Sequence, residues 1–282
     1  MKEIHTEKIT EAIKNLTQET NFNIPDDVRN KIIDYREKES SALATGILTD
    51  ILKNHEKSRE KNLPLCQDTG LPVLFLELGQ NVKIIGEDLG TAINKGIKQG
   101  YEEGYLRKSI VQPPIFARKN TEDNTPAIIH TNIVEGDKFK IFFAPKGGGA
   151  ENMSYTKMMK PADGKEGVKN FVVDSVKKSG GNPCPPVVVG VGVGGNFEKS
   201  ALLAKKSLFR NLYKENPSDK LNNLEQEILQ EINNLDIGPQ GLGGDTTALG
   251  VHIETAPCHI ASLPVAVNLQ CHCHRHKIVE VV

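Results

Sequence analysis

The stretch Val187–Lys206, VVVGVGVGGNFEKSALLAKK, most narrows what this chain can fold into. Its first half is β-branched and apolar, the pattern of a strand buried on both faces. Its second half reads as a lysine-rich helix, and glycines at 190, 192, 194 and 195 join the two. Strand, glycine turn and helix in succession point to an α/β sheet. The glycine spacing lacks the second half of G-x-G-x-x-G. No acid follows roughly 20 residues on, at the end of a second strand, to hold a ribose. A close-packed strand-to-helix turn is therefore preferred to a nucleotide site, with the helix N-terminus open to an anion.

The remaining elements fit a mixed α/β domain, residues 63–282, preceded by an N-terminal helical segment, residues 1–62. Ile9, Ile13 and Leu16 recur at helical spacing. Pro25, Asp26 and Asp27 suit the opening of a second helix, since a proline and acids belong in a first turn. Leu43, Ile47, Leu48, Ile51 and Leu52 make a third stripe, after which EKSREKN reads as a solvated linker. PVLFLEL reads as a buried strand, and residues 87–103 as an amphipathic helix with Leu89, Ile93, Ile97 and Tyr101 on one face. AIIHTNIV and KFKIFFA read as strands paired around the turn EGD. Residues 164–178, 197–213 and 219–235 read as helices, and the C-terminal tail as β-branched strands punctuated by proline.

With 38% hydrophobic residues, the 282-residue chain is long enough for a sizeable core. A formal net charge of −1 gives no support to binding nucleic acid or a membrane surface. The start, MKEIHTEKIT, lacks the apolar core of a signal peptide, and no apolar run is long enough to span a bilayer. The chain reads as cytoplasmic. Its five cysteines, Cys66, Cys184, Cys258, Cys271 and Cys273, then argue against a disulfide framework. There is no Cys-x-x-Cys pair, the usual sign of a structural zinc ribbon.

Several stretches hold chemistry. In LPLCQDTGLP, Cys66 stands beside Gln67, Asp68 and Thr69 rather than in an apolar run. It reads either as a turn that contains a cysteine or as a loop thiolate flanked by an amide and a carboxylate. In GNPCPPVVV, prolines on both sides stiffen the chain at Cys184, as suits a rigid turn or a metal ligand. KGGGAENMS and GPQGLGGDTTALGV are glycine-rich loops able to meet anions through backbone N–H or to serve as turns. CHCHRH, residues 271–276, would as a strand place Cys271, Cys273 and Arg275 on one face and three histidines on the other. That split weakens a single tetrahedral zinc. Cys258 and His259 form another cysteine–histidine pair in TAPCHIASLP.

Taken in order, CQDTGLP, KGGGAENMS, GNPCPPVVVGVGVGGNFEKSALLAKK, GPQGLGGDTTALGV and CHIASLPVAVNLQCHCHRH resemble one family. It is the α subunit, or N-terminal half, of the class I iron–sulfur fumarases and L(+)-tartrate dehydratases. The resemblance runs from about residue 40 to the end, and five ordered motifs are far more specific than any one. It implies a [4Fe–4S] cluster on Cys66, Cys184 and Cys271, with Cys273 a spectator. Three thiolates for four irons leave one iron with open positions, a Lewis acid. It also implies substrate contacts at Gln67, Arg107 and Gly149, with Asp68 and His259 handling protons or polarising the substrate. The substrate would be a small dicarboxylate, fumarate or tartrate. Further cations and the direct base belong to the family's other half. The expected partner is accordingly a separate β subunit, in an oligomer of α–β pairs, with neither nucleic acid nor membrane. The reading from a different class is a zinc-binding structural or regulatory protein built on the C-terminal cysteines and histidines.

Overall fold

A computed structural model describes residues 2–282. In chain order the elements are β1 (Lys2–His5), α1 (Thr6–Phe22), α2 (Asp26–Lys38), α3 (Ala42–Lys61), β2 (Leu71–Gly79), β3 (Val82–Ile85), α4 (Leu89–Glu103), β4 (Val111–Gln112) and β5 (Lys119–Asn120). There follow β6 (Ile128–Val134), β7 (Phe139–Lys146), α5 (Gly148–Glu151), β8 (Tyr155–Met159), α6 (Gly164–Ser179), β9 (Val187–Gly194), α7 (Phe197–Ser207), α8 (Asp219–Asn233), β10 (Ala248–Ala256), β11 (Leu263–Gln270) and β12 (Lys277–Val281). The fold is mixed α/β. No helix among the described residues is long and apolar enough to cross a membrane.

Contacts divide the chain into two compact units. One comprises the chain up to Pro25, His55–Gly148 and Arg275–Val282; the other comprises Asp26–Asn54 and Gly149–His274. The first unit is built on a four-stranded sheet ordered β12-β7-β2-β6, with β2 parallel to β6 and antiparallel to β7. The hairpin expected between the sixth and seventh strands is not formed, because β2 lies between them. Its run Val73–Leu76 is buried throughout, so it needs neighbours on both edges and takes the central place. Helix α1 packs along α4, with Ile9, Ile13, Ile93 and Ile97 fully buried. Gly96 and Gly100 permit the close approach, since a Cβ at either would run into α1 near Ile13 or Thr17. Asp88 caps α4, its Oδ2 accepting from the Thr91 N–H at 2.8 Å.

Two local readings change here. A short strand, β1, precedes the helices and pairs in parallel with β3. EKSREKN is not a linker: α3 continues to Lys61. Lysine, glutamate and arginine are good helix formers, and His55 and Ser58 give these turns a buried side. The Ser58 hydroxyl also meets the carbonyls of Phe22 and Leu63.

The second unit holds a sheet ordered β10-β9-β11-β8, with β9 parallel to β10 and antiparallel to β11. On one face Val187, Val189 and Val191 pack with Val172 of α6 and Ile228 of α8. Helix α7 covers the other face, where Gly190 and Gly192 leave no room for a Cβ beneath Ala204 and Ser200. The glycines that shaped the sequence reading thus serve helix-on-strand packing. Helix α7 ends at Ser207, short of the expected residue 213, because the chain tightens into turns in which Phe209 and Arg210 donate to Lys206 O and Ser207 O. Residues 271–276 are irregular rather than a strand, so their side chains do not alternate between two faces. Cys273, His274 and Arg275 are consecutive and all buried, and no exposed row of imidazoles results.

Candidate active site

Four of the expected site residues, Cys66, Gln67, Asp68 and Arg107, belong to the first unit. After α3 the chain is drawn back to α1, where the Leu65 N–H donates to Asn21 O at 2.9 Å. It then turns sharply through Cys66–Gly70. The Cys66 Sγ is half-buried, accepts from the Asp68 N–H at 3.4 Å and lies 3.4 Å from Gln67 Oε1. Both Asp68 carboxylate oxygens are engaged: Oδ1 accepts from the Gly70 N–H at 3.0 Å and Oδ2 from the Gly148 N–H at 2.8 Å. The KGGG loop after β7 therefore orients the Asp68 carboxylate by its backbone. A Cβ at Gly147 would stand 3.2 Å from Asp68 Oδ2.

Buried side chains hold the main chain of this turn. Arg275 is 1% exposed; its Nη1 donates to Asn21 Oδ1 and its Nη2 to Asp68 O, both at 2.9 Å. The Tyr101 hydroxyl donates to Thr69 O and Gly70 O, each at 2.8 Å. Burial pushes the Tyr101 phenol above its ordinary range, so it stays an O–H donor. Asn124 Nδ2 donates to Gly70 O at 3.1 Å. The Arg107 side chain is exposed, while its carbonyl accepts from the Thr69 hydroxyl at 2.6 Å.

The second unit carries Gly149, Cys184, His259 and Cys271. Cys184 takes a left-handed backbone conformation, φ 55°, that costs a non-glycine residue of order 1 kcal/mol and is concentrated at functional positions. The surrounding bonds over-determine it. The Cys184 N–H donates to Gly181 O at 3.0 Å, and Gln240 donates to Pro185 O through both its backbone N–H (2.9 Å) and its Nε2 (3.0 Å). The loop GPQGLGG is thus a brace for the cysteine turn, with Gly241 in close approach to Gly181. The His272 N–H donates to Cys184 O at 3.2 Å, which ties the residue after Cys271 to the Cys184 turn. Cys184 is exposed and Cys271 half-buried. Cys273 is 2% exposed, with its Sγ 3.5 Å from His272 Nδ1. Cys258 is exposed and donates to Ser262 O at 3.3 Å. His259, also exposed, accepts at Nδ1 from the Ala261 N–H at 3.1 Å and borders a cavity of about 450 Å³ lined chiefly by apolar side chains such as Leu224 and Ile253. Gly149 is exposed, and a Cβ there would stand 3.6 Å from Asn182 O.

Sequence reasoning noticed Arg275 in CHCHRH without finding its role, and it missed Thr69, Tyr101 and Asn124 as supports. No local signal marks Asn124 or Tyr101, whose partners lie 54 and 31 or 32 residues away along the chain.

The model of one protein family, described as fumarate hydratase (fumerase), matches residues 10–280. The chain belongs to the fumarate hydratase family. Among relatives, a Methanocaldococcus jannaschii protein provisionally called L(+)-tartrate dehydratase subunit alpha is 41% identical over 285 residues, covering 97% of this chain and 98% of its own length. The L(+)-tartrate dehydratase subunits alpha of Escherichia coli and Shigella sonnei are each 33% identical over 278 residues, covering 97% of this chain and 91% of theirs. The family is one of iron–sulfur enzymes, and the chain is a hydro-lyase.

Proposed function

We propose that the chain is the α subunit of an iron–sulfur hydro-lyase that interconverts a four-carbon hydroxy-dicarboxylate and its dehydrated form, working with a separate β subunit in an oligomer of α–β pairs. Residues 63–282 act as one functional unit, preceded in the chain by a segment that holds helices α1 to α3. The observation that carries this reading is the Cys66–Asp68 turn, in which a partly exposed thiol stands two residues from a carboxylate oriented by Gly148 and Gly70. The donor set suits iron and sulfide: Cys66, Cys184 and Cys271 are thiols with some solvent exposure, and thiolate is the ligand such clusters take. Cys273 is turned inward and is the spectator.

A [4Fe–4S] cluster on these three thiolates supplies, when bound, an iron with open positions that polarises the departing hydroxyl. The protein does the rest. Asp68 handles a proton or polarises the substrate, with its carboxylate already oriented by two backbone donors. His259 stands as a second proton-handling or polarising group. Arg107 offers a planar fork to a substrate carboxylate, Gln67 an amide, and Gly149 a backbone uncluttered by a side chain. Arg107→Lys keeps the charge and loses the fork, so KM rises about tenfold or more while cluster content is unchanged. Steady-state kinetics on the purified α–β complex, beside iron quantitation, measure both; an unchanged KM returns Arg107 to a solvated surface residue.

Reversible hydration of fumarate to malate is the primary reading, and the names of the relatives favour L(+)-tartrate as the second. The test is to assay the α–β complex on both substrates. The cluster-loaded α chain alone is expected to be inactive, with turnover appearing on addition of the β subunit. Full turnover by the α chain alone would defeat the two-subunit reading.

A further inference from the structure

The segment that carries Arg107 has little secondary structure to fix it. Residues 106–110 lie outside helix and strand, after a left-handed reversal at Tyr105 (φ 51°). The Leu106 N–H donates to Tyr101 O, and Asn120 Nδ2 and the Thr121 N–H donate to Lys108 O and Ile110 O; the Arg107 carbonyl and the Ser109 and Ile110 N–H groups are held by the Asp68 turn and Asn124. The buried Thr69 hydroxyl, on a residue 1% exposed, donates to Arg107 O at 2.6 Å. Asn124, itself fully buried, accepts from the Ser109 and Ile110 N–H groups at 2.7 and 3.2 Å and donates to Gly70 O. The carbonyls of Asp68, Thr69 and Gly70 are in turn held by Arg275, Tyr101 and Asn124. Thr69 and Gly70 are buried, so their carbonyls need protein donors; what stability alone does not ask for is that the same groups also hold the exposed Arg107 segment. Here every carbonyl from Asp68 to Gly70 meets a protein donor, Thr69 crosses from that turn to the Arg107 segment, and Asn124 bridges the two from outside it.

We infer that Thr69 is a positioning residue: its hydroxyl, backed by Asn124, sets the Arg107 segment in register with the Asp68 turn, so that the carboxylate fork and the proton-handling or polarising group are presented together. This rests on the roles given above to Asp68 and Arg107. Valine is isosteric with threonine but leaves Arg107 O without its donor, whereas serine restores the hydroxyl.

The test compares Thr69→Val, Thr69→Ser and wild type as α–β complexes, by steady-state kinetics and by amide hydrogen exchange over residues 106–110. Thr69→Val is expected to raise KM about threefold to tenfold with kcat within about twofold. It should also speed exchange at Ser109 and Ile110, and Thr69→Ser should restore both. Tyr101→Phe, which keeps the buried ring, should speed exchange at residues 67–70 and shift KM in the same direction. A stability role alone would lower the thermal midpoint with KM and local exchange unchanged, and that result overturns the inference. So does a Thr69→Ser variant that behaves like Thr69→Val. The exchange measurement needs no turnover. If the wild-type complex acts on no dicarboxylate, the functional reading fails, and faster or unchanged exchange at 106–110 alone supports or overturns the positioning role.

Discussion

Serine at any one of Cys66, Cys184 or Cys271 removes the iron–sulfur cluster, while serine at Cys258 or Cys273 leaves it in place. A hydroxyl is a far poorer ligand for iron than a thiolate, and with three protein ligands each loss leaves only two. Burial sets Cys273 apart, whereas Cys258 is exposed like Cys184 and is left out because the family motif does not include it. Cys184 stands exposed in a left-handed turn braced through Pro185 by Gln240, and Cys271 is tied to that turn through its neighbour His272. Cys273, two positions on, is buried against the His272 ring. Iron and acid-labile sulfide per chain, measured on anaerobically purified variants, check this. Retention of the cluster in Cys271→Ser with loss in Cys273→Ser would exchange the two assignments.

Asp68→Asn is expected to lower kcat roughly a hundredfold or more while leaving KM within a few-fold and the cluster bound, because it removes the group that handles a proton or polarises the substrate and keeps the side-chain shape. The amide retains one oxygen for one of the two backbone donors, Gly70 N–H or Gly148 N–H, and presents an N–H to the other. Cluster content and thermal midpoint therefore belong beside the kinetics. A wild-type kcat with an intact cluster removes Asp68 from the chemistry and leaves it as the brace of the KGGG loop.

Most of the fold was legible because it is written in local pattern. The face Leu89, Ile93, Ile97 and Tyr101 announced α4, and the valines from 187 announced β9. Strand neighbours were less so. AIIHTNIV and KFKIFFA, joined by the three residues EGD, looked like a hairpin, and only the burial of β2 on both faces, a long-range property, separates them. The helical end of α3 was hidden by its charge, since a solvated helix face and a linker share a composition.

The site divides in the same way. Cys66, Asp68, Cys184 and Cys271 drew notice because each sits in a distinctive stretch of glycine, proline, cysteine or polar residues, and the family resemblance gave them their proposed roles. The supports were not. Arg275 reaches the Asp68 carbonyl across 207 residues of chain, and an isolated buried arginine leaves no pattern around itself. Thr69 was quoted in its motif, but a threonine whose work is to hold a carbonyl 38 residues away reads locally as a turn residue.

The central claim is that Cys66, Cys184 and Cys271 make this chain the iron–sulfur half of a hydro-lyase. Anaerobic purification of the α chain with its β subunit, followed by iron, acid-labile sulfide and zinc quantitation and an absorption spectrum, tests it most directly. The expected result is a brown protein with iron and sulfide in equal amounts, about four of each per α chain, that bleaches in air and loses turnover as it does so. A colourless protein containing stoichiometric zinc and no sulfide, active or not, would contradict the account.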